Sequence, residues 1–195
     1  SEMCIRDRSY LDKGELDTAE LLSQEALKAD NKSALAERTA GLVKLNQGDD
    51  ALAFRHFARA SELDPKDTTA RLNVATVLLE AGVHDRAAEQ FRAALEAEPD
   101  NTAAALGLAA ARRGQGKRED NGPFLEAEKL IRAVLQREPR NLSATFNLAV
   151  LYADYLKRPA DALPLFQRFL DEAPKNHPAR AEAERAVAAL KNQKK

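Results

Sequence analysis

One group of residues recurs along this chain at a nearly constant interval. Each copy has a small residue, a large apolar residue four positions later, a small residue three positions after that, and a proline five positions further on. Gly14, Gly48 and Gly82 keep the same register at intervals of 34 residues. A period of this length, read as two helices per copy, predicts an all-α array of stacked helix pairs. The copies are Ala53, Phe57, Ala60 and Pro65; Ala87, Phe91, Ala94 and Pro99; Ala127, Ile131, Val134 and Pro139; Ala162, Phe166, Phe169 and Pro174; and, more weakly, Ala19, Ser23, Ala26 and Asn31.

Spacings of three and four place the small and large residues of each copy on one face of a helix. The small residues let a neighbouring helix approach closely, and we expect Phe57, Phe91, Ile131 and Phe166 to be buried between repeats. The prolines end the second helix of each pair, and the glycines free the backbone at the turn. The predicted pairs are 33–47 with 50–62, 67–81 with 84–97, 101–114 with 123–137, and 141–156 with 159–171.

These recurring positions, the columns of the repeat, resemble the tetratricopeptide repeat, whose pattern ends in Gly-x4-Ala-x3-aromatic-x2-Ala-x4-Pro. The segments GDDALAFRHFARASELDP and GVHDRAAEQFRAALEAEP match that pattern throughout, and the resemblance covers residues from about 10 to 190. It implies a right-handed superhelical solenoid of antiparallel helix pairs, with about four and a half repeats in residues 9–175. The departures are Asn31 in place of Pro, Lys157 in place of Gly, and Phe169 in place of a small residue.

Two places break the period. The distance from Pro99 to Pro139 is 40 residues, and the glycines in residues 112–122 predict a lengthened, exposed turn at 115–122. The final unit gains one residue around 155–157. Beyond Pro174, the charged residues 176–192 predict a solvent-facing capping helix, followed by a frayed tail at 193–195.

The opening residues 1–8, SEMCIRDR, resemble the translation of a transposon-end adapter used in sequencing libraries. We interpret them as an artefact and exclude them from functional reasoning. Tyr10 then falls inside the first helix of a repeat, so we expect the genuine chain to enter in mid-repeat with its upstream sequence lost. Met3 and Cys4, the only Met and Cys, belong to this segment and say nothing about redox compartment.

The composition is that of a helical protein, with 44% hydrophobic and 31% charged residues. The net charge of −1 predicts no general attraction to nucleic acid or anionic lipid. No apolar run approaches the roughly 20 residues that span a bilayer. We therefore expect a protein or peptide partner, no nucleic acid and no membrane span, with self-association left open. The adapter implies a bacterial source, and the sequence does not decide between cell envelope and cytoplasm.

No catalytic arrangement is visible, so we expect neither enzyme activity nor a cofactor or bound metal. The three histidines, His56, His84 and His177, lie in different repeats without a second ligand at metal-binding spacing, and surface or turn roles are predicted for them. No serine lies in a G-x-S-x-G turn. One segment is basic and contains Arg112, Arg113, Lys117 and Arg118. We predict that it is a solvated turn, and the alternative is a patch that binds an acidic partner or nucleic acid.

The resemblance implies that the first helix of each pair lines a concave groove. Its inward positions are apolar with a few polar anchors, which suits an extended or helical peptide. Asn73 and Asn147 occupy the position where some family members bond a peptide backbone, because an amide donates and accepts. The alternative is that part of the apolar row packs against neighbouring helices or the cap. The predicted groove residues are Arg38, Leu42, Leu72, Asn73, Thr76, Leu106, Arg113, Phe146, Asn147 and Val150.

The function implied by the resemblance is a non-catalytic scaffold or adaptor that binds a peptide or partner segment in this groove. Two alternatives remain. One is a docking or regulatory domain of a larger, truncated enzyme, which a complete reading frame would reveal. The other is an oligomerisation module, which light scattering against concentration would detect.

Overall fold

The computed structural model describes residues 13–117 and 119–192. The predicted adapter segment 1–8, Arg118 and the tail 193–195 lie outside these residues. The described chain divides into two compact units, residues 13–104 and 105–192, and each is described by itself.

The first unit is built from five helices and the start of a sixth. They are α1 (Lys13–Ala29), α2 (Ala34–Asn46), α3 (Asp50–Leu63), α4 (Thr68–Glu80) and α5 (His84–Ala97), and α6 begins at Thr102. From α1 to α5, each helix packs against the next along the chain. The predicted pairs 33–47 with 50–62 and 67–81 with 84–97 are therefore present as α2 with α3 and α4 with α5.

Side-chain caps explain where three of these helices begin. Ser33, Asp49 and Asp67 each accept a hydrogen bond from a backbone N–H in the first helical turn, at 3.3, 3.0 and 3.1 Å respectively. Each bond satisfies one of the donors that a helix start leaves without an intrahelical partner. The turns after α2 and α4 place Gly48 at φ 80° and Gly82 at φ 73°. This left-handed backbone is the conformation for which the glycine column was predicted.

The repeat columns form the core of the first unit. Phe57 and Phe91 are 0% and 1% exposed, and the alanines on either side of each are fully buried. Gly41 in α2 faces the ring of Phe57 so closely that an added Cβ would lie 2.5 Å from it. The close approach of α2 and α3 therefore needs a residue without a side chain at this position.

The second unit contains the rest of α6, which ends at Gln115, and four further elements joined by turns. They are α7 (Gly122–Arg137), α8 (Leu142–Val150) continued by a π-helical turn (Leu151–Tyr155), α9 (Pro159–Glu172) and α10 (Arg180–Asn192). Helix α8 packs against both α7 and α9, and α10 packs against α9. The predicted cap is thus a helix, although it begins at Arg180 rather than at residue 176.

The same columns form the core here. Ile131 and Phe166 are 3% and 2% exposed. Phe169, where the repeat pattern has a small residue, is fully buried with its ring 5.1 Å from that of Phe146. The larger side chain is therefore accommodated within the α8–α9 pair.

The lengthened turn lies between α6 and α7. Lys117 and Asp120 exchange backbone hydrogen bonds of 3.2 Å, and residues 117 and 119–122 are exposed, as predicted. Gln115 and Gly116 are only half-exposed. An added Cβ at Gly116 would lie 2.1 Å from the ring of Phe124, so the turn is packed tightly onto the start of α7.

The extra residue near 155–157 is absorbed by the π-helical turn. In the turns after α2 and α4, a backbone hydrogen bond joins the end of the turn to a residue five positions earlier. These bonds run from Asp49 N to Lys44 O and from Val83 N to Leu78 O. The corresponding bond joins Arg158 N to Tyr152 O, six residues apart, at 2.7 Å. Lys157, which occupies the glycine column, adopts φ 54°. The turn thus keeps its left-handed position although the residue is not glycine.

The described residues contain ten α-helices and no strand, as the all-α prediction required. None of these helices is both long and apolar enough to cross a membrane.

Candidate functional site

The first unit presents apolar side chains on one face of α2. Leu35 and Leu42 are 63% and 39% exposed, and they lie seven positions apart, about two helical turns. Arg38 lies between them on the same face, and its guanidinium is 3.3 Å from the carboxylate of Asp67. Because Asp67 also caps α4, this ion pair ties α2 to the beginning of α4. Arg38 is thus a link between helices, not a free cation in a groove.

Helix α4 contributes the half-buried residues Leu72, Asn73 and Thr76. The Thr76 hydroxyl donates to the Leu72 carbonyl at 2.9 Å, which leaves its methyl group as the outward contact surface. The Nδ2 atom of Asn73 is shielded from solvent and has no hydrogen-bond partner among the described residues. Since the oxygen and nitrogen of an amide exchange places on rotation, either the donor or the acceptor of this side chain can occupy the shielded position.

Three predicted groove residues in the second unit lie in the core instead. Leu106, Phe146 and Val150 are 4%, 3% and 4% exposed, so the expectation that they line an open surface is wrong. Phe146 is buried because it packs against two other rings. Its ring centre lies 5.8 Å from that of Phe166, in an edge-on contact, and 5.1 Å from that of Phe169, in a tilted contact. The alternative of packing against neighbouring helices holds for these positions, and we leave them out of the proposed contact set.

Arg113 and Asn147 remain half-exposed and line one small cavity between α6, α7 and α8. The Arg113 guanidinium carbon lies 5.5 Å from the centre of the Tyr155 ring, a cation–π contact. Tyr155 in turn packs against Phe124, with ring centres 5.2 Å apart. Sequence reasoning missed Tyr155, although the extra residue near 155–157 was a signal that this turn is unusual.

A polar cluster around the buried Tyr152 lies at the base of the π-helical turn. The Tyr152 hydroxyl donates to Glu128 at 2.7 Å and accepts from Arg132 at 2.7 Å. Arg158 lies 3.2 Å from Glu128 and 4.3 Å from the centre of the Tyr152 ring. Burial, followed by the bond to Glu128, raises the pKa of Tyr152 above its ordinary value. Every charge in this cluster has an opposite partner, so its role is structural.

The histidines and the basic turn occupy separate places. His56 Nδ1 lies 2.7 Å from Glu37, and the His177 ring packs edge-on against Phe169. Within the part of the chain that is described, no three His, Cys, Asp or Glu side chains form a metal-binding group. Arg112 pairs with Glu126 at 2.9 Å, whereas Lys117 is exposed in the lengthened turn. The predicted basic patch is therefore not one continuous cationic surface in the described residues.

The comparisons with known proteins agree with this architecture. A family model for the tetratricopeptide repeat matches residues 38–102, 72–121 and 117–177, whereas a search of curated proteins found no match. Three solved structures have the same fold at identities too low to show more than the fold. YrrB, described as having an unusual peptide-binding site, has a TM-score of 0.69 at 23% identity, over 96% of this chain and 90% of its own.

The thermophilic protein TTC0263 from Thermus thermophilus has a TM-score of 0.69 at 20% identity, over 83% of this chain and 82% of its own. MamA from Desulfovibrio magneticus RS-1 has a TM-score of 0.65 at 15% identity, over 86% of this chain and 96% of its own. The family matches together cover residues 38–177, well over half of the 195 residues. The chain therefore belongs to the tetratricopeptide-repeat family, whose helix-pair arrays serve in general as protein-interaction scaffolds.

Proposed function

We propose that this protein is a non-catalytic scaffold or adaptor that binds a peptide or partner segment on the face shared by α2 and α4. The observation that carries the proposal is the pair of exposed leucines on α2, Leu35 and Leu42, two turns apart. Apolar side chains at this spacing offer two contact points to a ligand that runs along the helix. Leaving them in water is unfavourable, and a partner that covers them gains about 25 cal/mol for each Å² buried.

The polar groups of the same face supply the second part of the proposal. The Nδ2 atom of Asn73 is buried without a hydrogen-bond partner among the described residues, and Asn73 lies beside Leu72 on α4. An amide that donates or accepts suits the main chain of a ligand whatever its sequence. Thr76, one turn along, offers its methyl group, because its hydroxyl is already bonded within the helix. We propose as the contact set of this unit Leu35, Arg38, Leu42, Leu72, Asn73 and Thr76, with the Arg38 side chain held in place by its ion pair with Asp67.

In the second unit we propose Arg113 and Asn147 as a separate contact for a partner segment. Both are half-exposed, and Arg113 is oriented by the Tyr155 ring. Their contribution can be tested separately, since substitutions there leave the α2 and α4 face unchanged.

The direct test is a display selection of random peptides against the whole chain, followed by fluorescence anisotropy with one selected peptide. Leu42→Asp and Leu72→Asp should each weaken binding at least about tenfold, because an unpaired carboxylate replaces buried apolar contact. Asn73→Ala should cost about 0.5–1.5 kcal/mol of binding free energy. Leu125→Asp is the matched control, since Leu125 is 48% exposed on α7 in the other unit.

Two outcomes would contradict this proposal. One is a selected peptide whose affinity is unchanged by both aspartate variants while their circular dichroism spectra remain native. The other is a selection that yields no peptide while light scattering shows a molar mass that rises with concentration and falls in Leu42→Asp. That second result would favour self-association through the same leucines.

A further inference from the structure

A cleft of about 440 Å³ lies along α3, and none of its lining residues belongs to the proposed contact set. Its size falls within the range of about 300–1,000 Å³ that is usual for ligand pockets. Leu52, Phe54 and Ala58 form its apolar part, and all three are half-exposed. These three side chains form an apolar floor to the cleft, and part of their surface remains accessible to solvent.

The acidic residues of the cleft already have partners. The Glu37 carboxylate lies 2.7 Å from Nδ1 of His56, and the Glu62 carboxylate lies 3.0 Å from Arg59. Arg55 is exposed in the same cleft and forms no ion pair with any described carboxylate. Arg55 is thus the charged side chain of the cleft that has no ionic partner among the described residues.

A second arginine, on α5, lies against Phe54, one of the residues that line the cleft. The Arg86 guanidinium carbon lies 6.0 Å from the centre of the Phe54 ring, and Arg86 is exposed. Like Arg55, it forms no ion pair within residues 13–117 and 119–192. An arginine that lies over an aromatic ring keeps the N–H donors at the edge of its guanidinium free to bond a carboxylate. Phe54 is therefore flanked by two arginines that have donors to spare.

We propose that this α3 cleft docks a segment of a partner protein in which carboxylate side chains stand next to an apolar one. The apolar side chain would lie on Phe54 and Leu52, and the carboxylates would bond Arg55 and Arg86, where paired N–H donors match the two oxygens. An inorganic anion would leave the apolar floor uncovered. A nucleic acid gains little from a chain whose net charge is −1. An acidic amphipathic segment satisfies both the floor and the arginines.

This inference concerns a surface other than the α2 and α4 face, and its test separates the two. Fluorescence anisotropy with the whole chain would use a fluorescein-labelled peptide of alternating Glu and Leu. Its counterparts have Gln or Lys in place of Glu, and a labelled oligothymidylate serves as the nucleic-acid probe. We expect binding of the Glu peptide alone, with an affinity that falls as salt rises.

The variants are Arg55→Glu and Arg86→Glu, singly and together. The double variant should bind the Glu peptide about tenfold more weakly, because two attractions become repulsions. Lys129→Glu is the matched control: Lys129 is exposed on α7 at the repeat position that Arg55 occupies on α3. It should leave the affinity unchanged. If the double variant loses its helical circular dichroism signal, the Arg55→Gln and Arg86→Gln pair replaces it, with a smaller loss expected.

Several results would overturn the inference. Equal binding of the Gln peptide would show that the arginines do not select charge. Binding of oligothymidylate that is lost with the arginine variants would make the cleft a nucleic-acid site. Loss of Glu-peptide binding in Leu42→Asp and Leu72→Asp, with full retention in the arginine variants, would assign the peptide to the other face. That last result would leave the proposed function standing while the cleft proposal failed.

Discussion

The ring of Tyr155 packs against the ring of Phe124 with their centres 5.2 Å apart, and each residue lies beside a different departure from the repeat period. Phe124 follows the lengthened turn, in which Gly116 touches its ring. Tyr155 ends the π-helical turn that absorbs the one extra residue. Arg113, close to the end of α6, lies over the Tyr155 ring. The two irregularities of the second unit are therefore packed against each other.

Gly116→Ala should destabilise the protein by about 1–3 kcal/mol, the usual cost of forcing extra atoms into a packed site. Phe124 is only 7% exposed, so its ring cannot swing freely away from the new methyl group. Urea unfolding would measure the change. In a Phe124→Ala background the same substitution should have almost no further effect, because the clash is gone. An equally large loss in both backgrounds would show that Phe124 is not the cause.

Lys157→Gly should stabilise the protein by about 0.5–1 kcal/mol. Lys157 holds φ 54°, where a side chain is unfavourable, and this gain outweighs the greater chain entropy that glycine brings to the unfolded state. Thermal unfolding would report it as a higher midpoint. Lys175→Gly is the control, since Lys175 is exposed and does not have a positive φ. This variant should have a slightly lower unfolding midpoint. A lower midpoint for Lys157→Gly would refute the prediction.

Tyr152→Phe should cost about 1–2 kcal/mol of unfolding free energy. The hydroxyl bridges Glu128 and Arg132, and without it a partly buried carboxylate loses one of its donors. Tyr155→Phe is the matched control, because Tyr155 is 39% exposed and lies outside this cluster. Urea unfolding at neutral pH would separate the two variants. Equal stability of the two would argue against a role for the cluster.

The same tyrosine predicts a dependence on alkaline pH. The folded state raises the pKa of Tyr152 above its ordinary value of 10.0, mainly through burial. Its contribution to stability is therefore complete below that value and is lost as the pH rises through the higher, folded-state pKa. The natural protein should lose more unfolding free energy than Tyr152→Phe between neutral pH and the alkaline range. Parallel alkaline declines in both proteins would contradict the assignment.

Helix α1 should exchange its amide hydrogens faster than α5. Among residues 15–29 of α1 the buried residue is the polar Ser23, whereas α5 buries Ala87, Ala88, Phe91 and Ala94. Local opening is easier where little apolar surface is buried. Hydrogen-exchange mass spectrometry would compare peptides from residues 16–29 and 84–97. Equal protection of the two would show that α1 is stabilised by contacts other than those of its buried side chains.

Much of the fold could be read from the sequence because its signals are local. The helix pairs, the left-handed turns at Gly48 and Gly82, and the burial of Phe57 and Phe91 follow from residue types at fixed spacing. The capping side chains lie only three residues from their partners. The family resemblance rests on the same columns. Within one repeat, spacing and side-chain size are enough to determine which face is buried.

Which residues the candidate site contains depends more on contacts between residues that are far apart in the sequence. Counting positions along the first helix of each pair predicted that Phe146 and Val150 line the groove together with Leu72 and Thr76. Only the tertiary structure decided that Phe146 is buried, because Phe166 and Phe169 reach it from the next helix. The contact between Tyr155 and Phe124 and the approach of Arg86 to Phe54 join residues about thirty positions apart. The sequence by itself determined the repeating helices and their buried columns. The tertiary structure decided which side chains remain exposed, because exposure depends on the volume that neighbouring helices fill.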